Sequence, residues 1–427
     1  MADCRKHKLE GAVMLSSSET EEFSNPIIHV FKDESELQRV VEIVENSPNG
    51  VPFDDSILEF FGRLSNSILQ DKMAIRRFPD LAAFAWWIRP TNTSVLRNQF
   101  NRDREISQAF RVPRGLVVHI APSNVEILFA YSWAISQLCG CKSIVRLSSS
   151  HTEMSKFLVR QIFLIAHKLA VNLNSQFVTY DRENSVANES LLKKCDVLVV
   201  WGGDDTVTQF RKSPLKADSV MISFPDRKSL MILSSNSYLE LDENKRDQVA
   251  SLARRDVSLF GQQACSSPRS VVWIGTAKSR EASDDFFFRW NSGGNSVLNL
   301  TTSELYQRNS FVHELAMDPN FISKHDFGEF IVCRVRSFFG TGSNHPGHGL
   351  LLETSIDSLA ELEQLITSTD QTLAYFGIDR DYIKNTLENF KFNWPRRVVP
   401  IGSTADFDSI WDGIDLTQSM LRLVSIK

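Results

Sequence analysis

One thiol gives the sharpest chemical signal in this chain. Cys265 stands in Phe260-Gly-Gln-Gln-Ala-Cys-Ser-Ser-Pro-Arg269, directly before an apolar run at 270–274 that reads as a strand. A glycine before the cysteine and a proline after it suit a sharp turn, with backbone amides free to point at whatever the sulfur attacks. Such a thiol becomes a nucleophile once a neighbour lowers its pKa or a base takes its proton. Free cysteine is also a common core residue, but Gln262, Gln263, Ser266, Ser267 and Arg269 are poor company for a core position. Upstream stands Asn124, in Pro122-Ser123-Asn124. Taken by itself, it reads as a turn or helix-cap asparagine before an apolar helix.

The elements around these residues follow from hydrophobic period. Apolar residues at helical spacing predict helices over 34–45, 57–69 and 79–88, the last with Phe84, Trp86 and Trp87 read as core. Residues 1 to about 30 are polar and irregular and read as a loosely packed lead-in. From 115 the pattern changes to short β-branched runs at 115–120, 144–147, 176–180 and 195–200, separated by helices at 125–138 and 152–170. That alternation predicts a doubly wound parallel sheet, with ligands beyond the carboxyl ends of its strands at 121–124, 147–151 and 201–206. A second α/β unit is expected to begin with strands at 219–223 and 229–233. It continues through a helix at 245–259, the Cys265 turn, a strand at 350–354, a helix at 357–367 and a strand at 397–401. The divisions expected are 1–100 as an N-terminal helical segment packed on the cofactor domain, 101–222 as a Rossmann-like cofactor domain, 223–400 as the catalytic domain, and 401–427 as a C-terminal return segment.

Composition removes several function classes. A net charge of −5 and scattered Lys and Arg over 427 residues argue against nucleic acid or a membrane surface as partner. No apolar stretch reaches the ~18–20 residues of a membrane span, and no signal-peptide core is evident. Six cysteines without disulfide-like spacing make a reducing cytoplasm the expected location, and Cys139-Gly-Cys141 has no partner pair for a metal site. Neither GxGxxG nor GxxxxGK[ST] is present.

The ordered set Pro122-Ser-Asn124, Gly140-Cys-Lys-Ser-Ile-Val-Arg146-Leu-Ser-Ser149, Trp201-Gly-Gly203 and Gly261-Gln-Gln-Ala-Cys265 resembles the aldehyde dehydrogenase superfamily. More closely, the chain is similar to the acyl-CoA reductases of the bacterial luminescence fatty-acid reductase type. The segments that carry this are Arg114-Gly-Leu-Val-Val-His-Ile-Ala-Pro-Ser-Asn124, Val199-Val-Trp-Gly-Gly203, Gln263-Ala-Cys-Ser-Ser-Pro-Arg269, Arg397-Val-Val-Pro-Ile-Gly402 and Trp411-Asp-Gly-Ile-Asp415. The resemblance implies an aldehyde dehydrogenase-like α/β fold with a small oligomerisation element. It also implies a thioester on Cys265, an oxyanion held by Asn124 and the Cys265 N–H, and hydride delivered from a nicotinamide cofactor.

Two departures from the superfamily pattern sharpen the expectation. Phe224 stands where oxidative members carry the glutamate that activates water, so a thioester would wait for hydride and reduction is favoured. Arg146 and Ser149 replace a lysine and a ribose-binding glutamate, with Ser148, Ser150 and His151 alongside, which suits a 2′-phosphate and hence NADPH. Arg146 paired with a neighbouring acid is the alternative. Gly202 and Gly203, with Pro122 and Ser123, would border the cofactor. The superfamily's later ribose-binding glutamate aligns nearest the loop holding His345 and His348, and Arg397 and Trp411 are expected to be structural. The expected activity is NADPH-dependent reduction of an acyl-CoA or acyl-protein thioester, with an acyl-protein synthetase or acyltransferase as possible partner and a homo-oligomer as the expected assembly. The alternatives are a CoA-acylating aldehyde dehydrogenase working oxidatively and a non-catalytic acyl-carrying subunit.

Overall fold

The computed structural model describes residues 28–31, 34–107, 109–122, 125–149, 152–181, 183–292, 298–338 and 344–426. Strand β1 (His29–Val30) precedes five helices, α1 (Glu34–Asn46), α2 (Asp55–Gln70), α3 (Lys72–Arg77), α4 (Asp80–Trp87) and α5 (Pro90–Ser107), and the short strand β2 (Phe110–Pro113). The first sheet then unrolls as β3 (Leu116–Ile120), α6 (Leu128–Leu138), β4 (Lys142–Arg146), α7 (Glu153–Lys168), β5 (Ser175–Thr179), α8 (Ser185–Leu192), β6 (Val197–Trp201), α9 (Asp204–Arg211) and β7 (Val220–Phe224). A second sheet follows through β8 (Lys228–Ser234), α10 (Ser235–Leu239), α11 (Glu243–Ser258), β9 (Pro268–Ile274), α12 (Thr276–Ser292), α13 (Thr302–Ala316), β10 (Phe321–Phe327), β11 (Phe330–Val335), β12 (Leu350–Ile356), β13 (Asp370–Phe376), α14 (Arg380–Glu388) and β14 (Arg397–Pro400). The chain ends in a hairpin of β15 (Ile410–Trp411) and β16 (Ile414–Asp415), then α15 (Leu416–Met420) and β17 (Leu421–Val424).

The first sheet runs β1-β5-β4-β3-β6-β7, all parallel. Strands β3, β4 and β6 are buried at every position; β6 reads as an unbroken apolar run, while β3 carries a buried His119 and β4 opens on Lys142-Ser143 and ends on Arg146. The chain leaves β3 toward β4 on one side and later returns to β6 on the other. The β3/β6 junction is therefore the switch point at which doubly wound sheets bind ligands. The second sheet runs β10-β11-β12-β9-β8-β13-β14, with β10 the antiparallel edge.

Several sequence expectations change here. The strand expected at 219–223 is β7 and completes the first sheet beside β6, so it does not open the second unit. A boundary at 101 falls inside α5, and one at 222 falls inside β7. Helix α5 was not anticipated, because its run Pro-Thr-Asn-Thr-Ser is polar and carries almost no apolar stripe. The helix expected over 357–367 is a 3₁₀ turn at Leu359–Gln364, closed by a Ser358/Glu361 capping box. His29 and Val30, placed in the lead-in, pair with Val178 and Thr179 of β5. Of the aromatic trio in α4, Phe84 and Trp87 are buried as expected, whereas Trp86 is exposed and lies under the Arg89 guanidinium at 4.5 Å.

The C-terminal residues return to the first sheet. β17 pairs antiparallel with β2, and Phe407, Trp411, Leu416, Met420 and Leu421 join the same hydrophobic cluster as α2, α4 and α6. That cluster is sealed at its lower edge by Gly140, whose φ of +74° and whose carbonyl bond from the Gly50 N–H (2.8 Å) leave no room for a side chain. A Cβ at 140 would lie 2.6 Å from the Gly50 carbonyl oxygen. Gly140→Ala is expected to lower stability by about 1–3 kcal/mol, read as a fall in the thermal unfolding midpoint, while far-ultraviolet circular dichroism keeps its shape.

Candidate active site

Cys265 sits in the crossing between α11 and β9, and the backbone there is wound tightly. Phe260, Gly261 and Gln262 all have positive φ (54°, 61° and 65°), a conformation that residues with side chains adopt at a cost. The Gln262 side chain holds this turn in place. Wholly buried, it donates to the carbonyls of Pro268 (2.9 Å) and Leu350 (2.8 Å) and accepts from the Gly349 N–H (2.7 Å). Gln263 reaches the same loop, donating to the Pro346 carbonyl at 3.2 Å and lying 3.3 Å from His348 Nδ1. Gly347 is obligatory at this crossing, because its φ is +78° and a Cβ there would lie 2.8 Å from Gln263 Nε2. On the other side, Ser229 donates to the Cys265 carbonyl (2.7 Å) and accepts from the Thr372 N–H (3.1 Å). The turn is thus fastened to β8 and β13 as well as to the start of β12.

The thiol is deep but retains some exposed surface. Burial pushes its pKa up to about 11, and the Asp412 carboxylate pushes the same way. Against these, the Gln371 amide and the backbone N–H groups of Cys265 and Ser266 favour the thiolate. The Arg269 and Arg397 guanidinium groups both feel the sulfur's charge. Arg269 donates to the His345 carbonyl at 2.9 Å. Arg397 donates to the Thr404 carbonyl at 2.8 Å and lies over the Trp411 ring at 4.8 Å. His345 is buried and held neutral, its pKa lowered to about 3 by desolvation and then by Arg269, and its Nδ1 accepts from the Gly347 N–H. His348 lies 3.8 Å from Glu304. In this geometry both histidines support the loop beside the cysteine.

The expected cofactor residues gather at the carboxyl end of the first sheet. Pro122 follows β3 and is buried; Ser123 and Asn124, like Ser150 and His151, lie outside the described residues. Arg146 ends β4 with its guanidinium bonded to the Tyr180 carbonyl (3.2 Å) and set over the Tyr180 ring (5.4 Å). Ser148 is half-buried and Ser149 exposed just beyond it. Gly202 and Gly203 turn the chain from β6 into α9, and here the protein supplies its own anion. The Asp226 carboxylate accepts from the Asp204 N–H at 3.2 Å, and a Cβ on Gly203 would lie 2.9 Å from it. Glycine at 203 is therefore explained by Asp226 without a ligand. Phe224 stacks on Trp201 with ring centroids 3.9 Å apart and is buried. No carboxylate occupies that position.

Sequence reasoning did not find Gln371 or the closeness of Asp412 to Cys265. Gln371 is a buried amide between the buried Asp370 and Thr372 at the polar start of β13, and Asp412 is a buried carboxylate with φ +49°. A polar side chain opening the run Leu373 to Phe376 was the available signal. Removing the Gln262 amide should show how much the turn depends on it. Gln262→Leu leaves three buried backbone groups unpaired and is expected to cost at least about 3 kcal/mol of stability in denaturant unfolding.

Residues 91–286 match a family model described as acyl-CoA reductase (LuxC). A long-chain acyl-protein thioester reductase of Aliivibrio fischeri is 26% identical over 166 residues, covering 38% of this chain and 33% of that protein. The chain thus meets the curated relatives over about a third of their length. Among solved structures, an NAD-dependent aldehyde dehydrogenase from Sinorhizobium meliloti superposes with TM-score 0.65 at 12% identity, over 92% of this chain and 86% of that one. Glyceraldehyde-3-phosphate dehydrogenase GapN from Methanocaldococcus jannaschii, solved with NADP, gives TM-score 0.65 at 13% identity over 92% and 94%. The chain has the aldehyde dehydrogenase-like fold and, over residues 91–286, matches the acyl-CoA reductase (LuxC) family.

Proposed function

We propose that this protein reduces an acyl thioester, carried on coenzyme A or on a protein, to the aldehyde through an acyl-enzyme on Cys265. The observation that carries the reductive direction is Phe224, buried against Trp201 at the position where water would need a base. Cys265 Sγ attacks the thioester carbonyl, giving up its proton, and the new S–C bond replaces the old one. The departing thiolate takes up a proton and leaves. The backbone N–H groups of Cys265 and Ser266 already face the sulfur, and an Asn124 amide beside them would complete the oxyanion site. A nicotinamide cofactor, held beyond the carboxyl end of the first sheet, would supply the hydride that takes the acyl group to the aldehyde and leaves Cys265 free. The buried Trp87, Tyr131, Phe407 and Trp411 pack ring against ring next to Arg397 as part of the core of the first unit.

The residues fit such a cofactor in part. Arg146, Ser148 and Ser149 carry no carboxylate and would hold a 2′-phosphate, which supports NADPH, with Pro122 and Ser123 bordering the crevice between β3 and β6. The Gly202–Gly203 turn suits it less, because Asp226 already fills the space. In this reading the first sheet, with β7 as its last strand, is the cofactor unit and the second sheet, from β8 to β14, is the catalytic unit. Residues 401–427 return to the former, and β2 with β17 forms an edge at which a second copy could add. The free thiols suit a reducing cytoplasm.

Incubation with radiolabelled acyl-CoAs of graded length tests the chemistry. Wild type is expected to become labelled and Cys265→Ala to stay unlabelled, with NADPH discharging the label as aldehyde. Label on the alanine variant would remove the nucleophile assignment, and label that no reduced cofactor discharges would identify a carrier. For the cofactor, Arg146→Ala is expected to raise KM for NADPH about tenfold or more while leaving KM for NADH nearly unchanged. An equal rise for both would make Arg146 a strand-end structural residue.

A further inference from the structure

A cavity of about 400 Å³ opens at the carboxyl ends of β9, β11 and β12, walled by the first turns of α12 and by Ile322 of β10. Strand β9 carries seven residues at about 3.3 Å each, so the cavity and the Cys265 turn stand at opposite ends of a strand roughly 20 Å long. The chemistry above makes no use of it. Its size suits a small molecule, and parallel strands place ligands beyond their carboxyl ends. The floor is built from buried charge. Arg334 is 7% exposed, and its guanidinium donates to Glu353 (2.6 Å), Asp284 (2.6 Å), Ser283 (3.0 Å) and His325 Nε2 (3.1 Å). Those bonds use four of its five N–H groups; the fifth, on Nη1, has no partner among the described residues. Glu353, 3% exposed, is held in turn by Trp273 Nε1 at 2.8 Å and by the Ser283 hydroxyl. Charges taken this far out of water are offset only when their bonds are made, and here one donor is left over.

The rim adds to this. Arg280 pairs with Asp284 at 3.3 Å, whereas Arg336 is exposed and its guanidinium has neither an ion pair nor a hydrogen bond among the described residues. Three guanidinium groups, Arg280, Arg334 and Arg336, thus stand against two carboxylates, Asp284 and Glu353, and one positive charge is left over. The Ser279 and Ser355 hydroxyls border the same space, and Ile322, 53% exposed, gives it an apolar side together with Val335. We propose that this cavity binds a small monocarboxylate with a short apolar body, its carboxylate taken by Arg336 and the remaining Arg334 N–H and its body lying along Ile322 and Val335. Charge decides the class. One carboxylate neutralises the surplus, whereas a phosphate dianion would exceed it beside Glu353 and Asp284. The planar guanidinium fork also matches a carboxylate in geometry. The site goes beyond the thioester chemistry and does not depend on it.

The test is isothermal titration calorimetry on the full chain with hexanoate, beside hexanamide as the same body without the charge. Hexanoate is expected to bind wild type at one site per chain, and hexanamide at least about tenfold more weakly. Arg336→Gln is expected to weaken hexanoate about tenfold or more and to leave hexanamide unmoved. Thermal unfolding monitors the fold of the variant. Should Arg336→Gln fail to fold, Ser355→Phe, which fills the cavity from its wall, takes its place and is expected to abolish hexanoate binding. Absence of hexanoate binding to folded wild type would overturn the proposal. So would equal binding in the folded variant, the result expected if hexanoate sits at the Cys265 end of the sheet. Inorganic phosphate that displaces hexanoate at a lower concentration than hexanoate itself needs would refute the carboxylate class.

Discussion

One amide side chain holds the centre of this molecule together. Gln262 satisfies three backbone groups from two segments that are far apart in the chain, and it does so where three consecutive residues are held at positive φ. Such a backbone persists only if its surroundings over-determine it. Everything that faces Cys265 inherits its position from that fastening: the loop with His345 and His348, Arg269 behind it, and the start of β9. A buried amide with all its hydrogen bonds made specifies one geometry in a way that an apolar side chain of the same size does not.

Around the fastening the protein balances a thiol between burial and charge. Desolvation and Asp412 keep the sulfur protonated, whereas Gln371, two backbone amides and two guanidinium groups lean the other way. Similar economy governs the first sheet, where Asp226 occupies the turn at Gly203 and Phe224 stacks on Trp201.

The legibility of all this from sequence divides along physical lines. Buried parallel strands carry an apolar run at their centres, so the middles of β3, β4, β5, β6, β8, β9 and β12 could be read, whereas polar ends such as Lys142-Ser143 of β4 could not. The Cys265 turn was legible because glycine, proline and small polar residues cluster there. Helix α5 was not, because tertiary contact rather than an apolar stripe holds it. Nor was the placement of β7, since pairing across a sheet leaves no mark on a single strand. Gln371 and Asp412, which bear on the Cys265 thiol, stand 106 and 147 residues beyond it, and no local pattern announces an influence at that separation. The expected Asn124, Ser123, Ser150 and His151 lie outside the described residues.

The antiparallel pairing of β17 with β2 joins residues 421–424 to residues 110–113. The aromatic and aliphatic side chains that follow Phe407 complete the core beneath the first sheet. Chain synthesis proceeds from the other end, so the first unit emerges from the ribosome without the core contacts of Phe407, Trp411, Leu416, Met420 and Leu421 and waits for them until those residues are made. Its closing contacts have a sequence separation of some three hundred residues, which slows their formation and lengthens the wait.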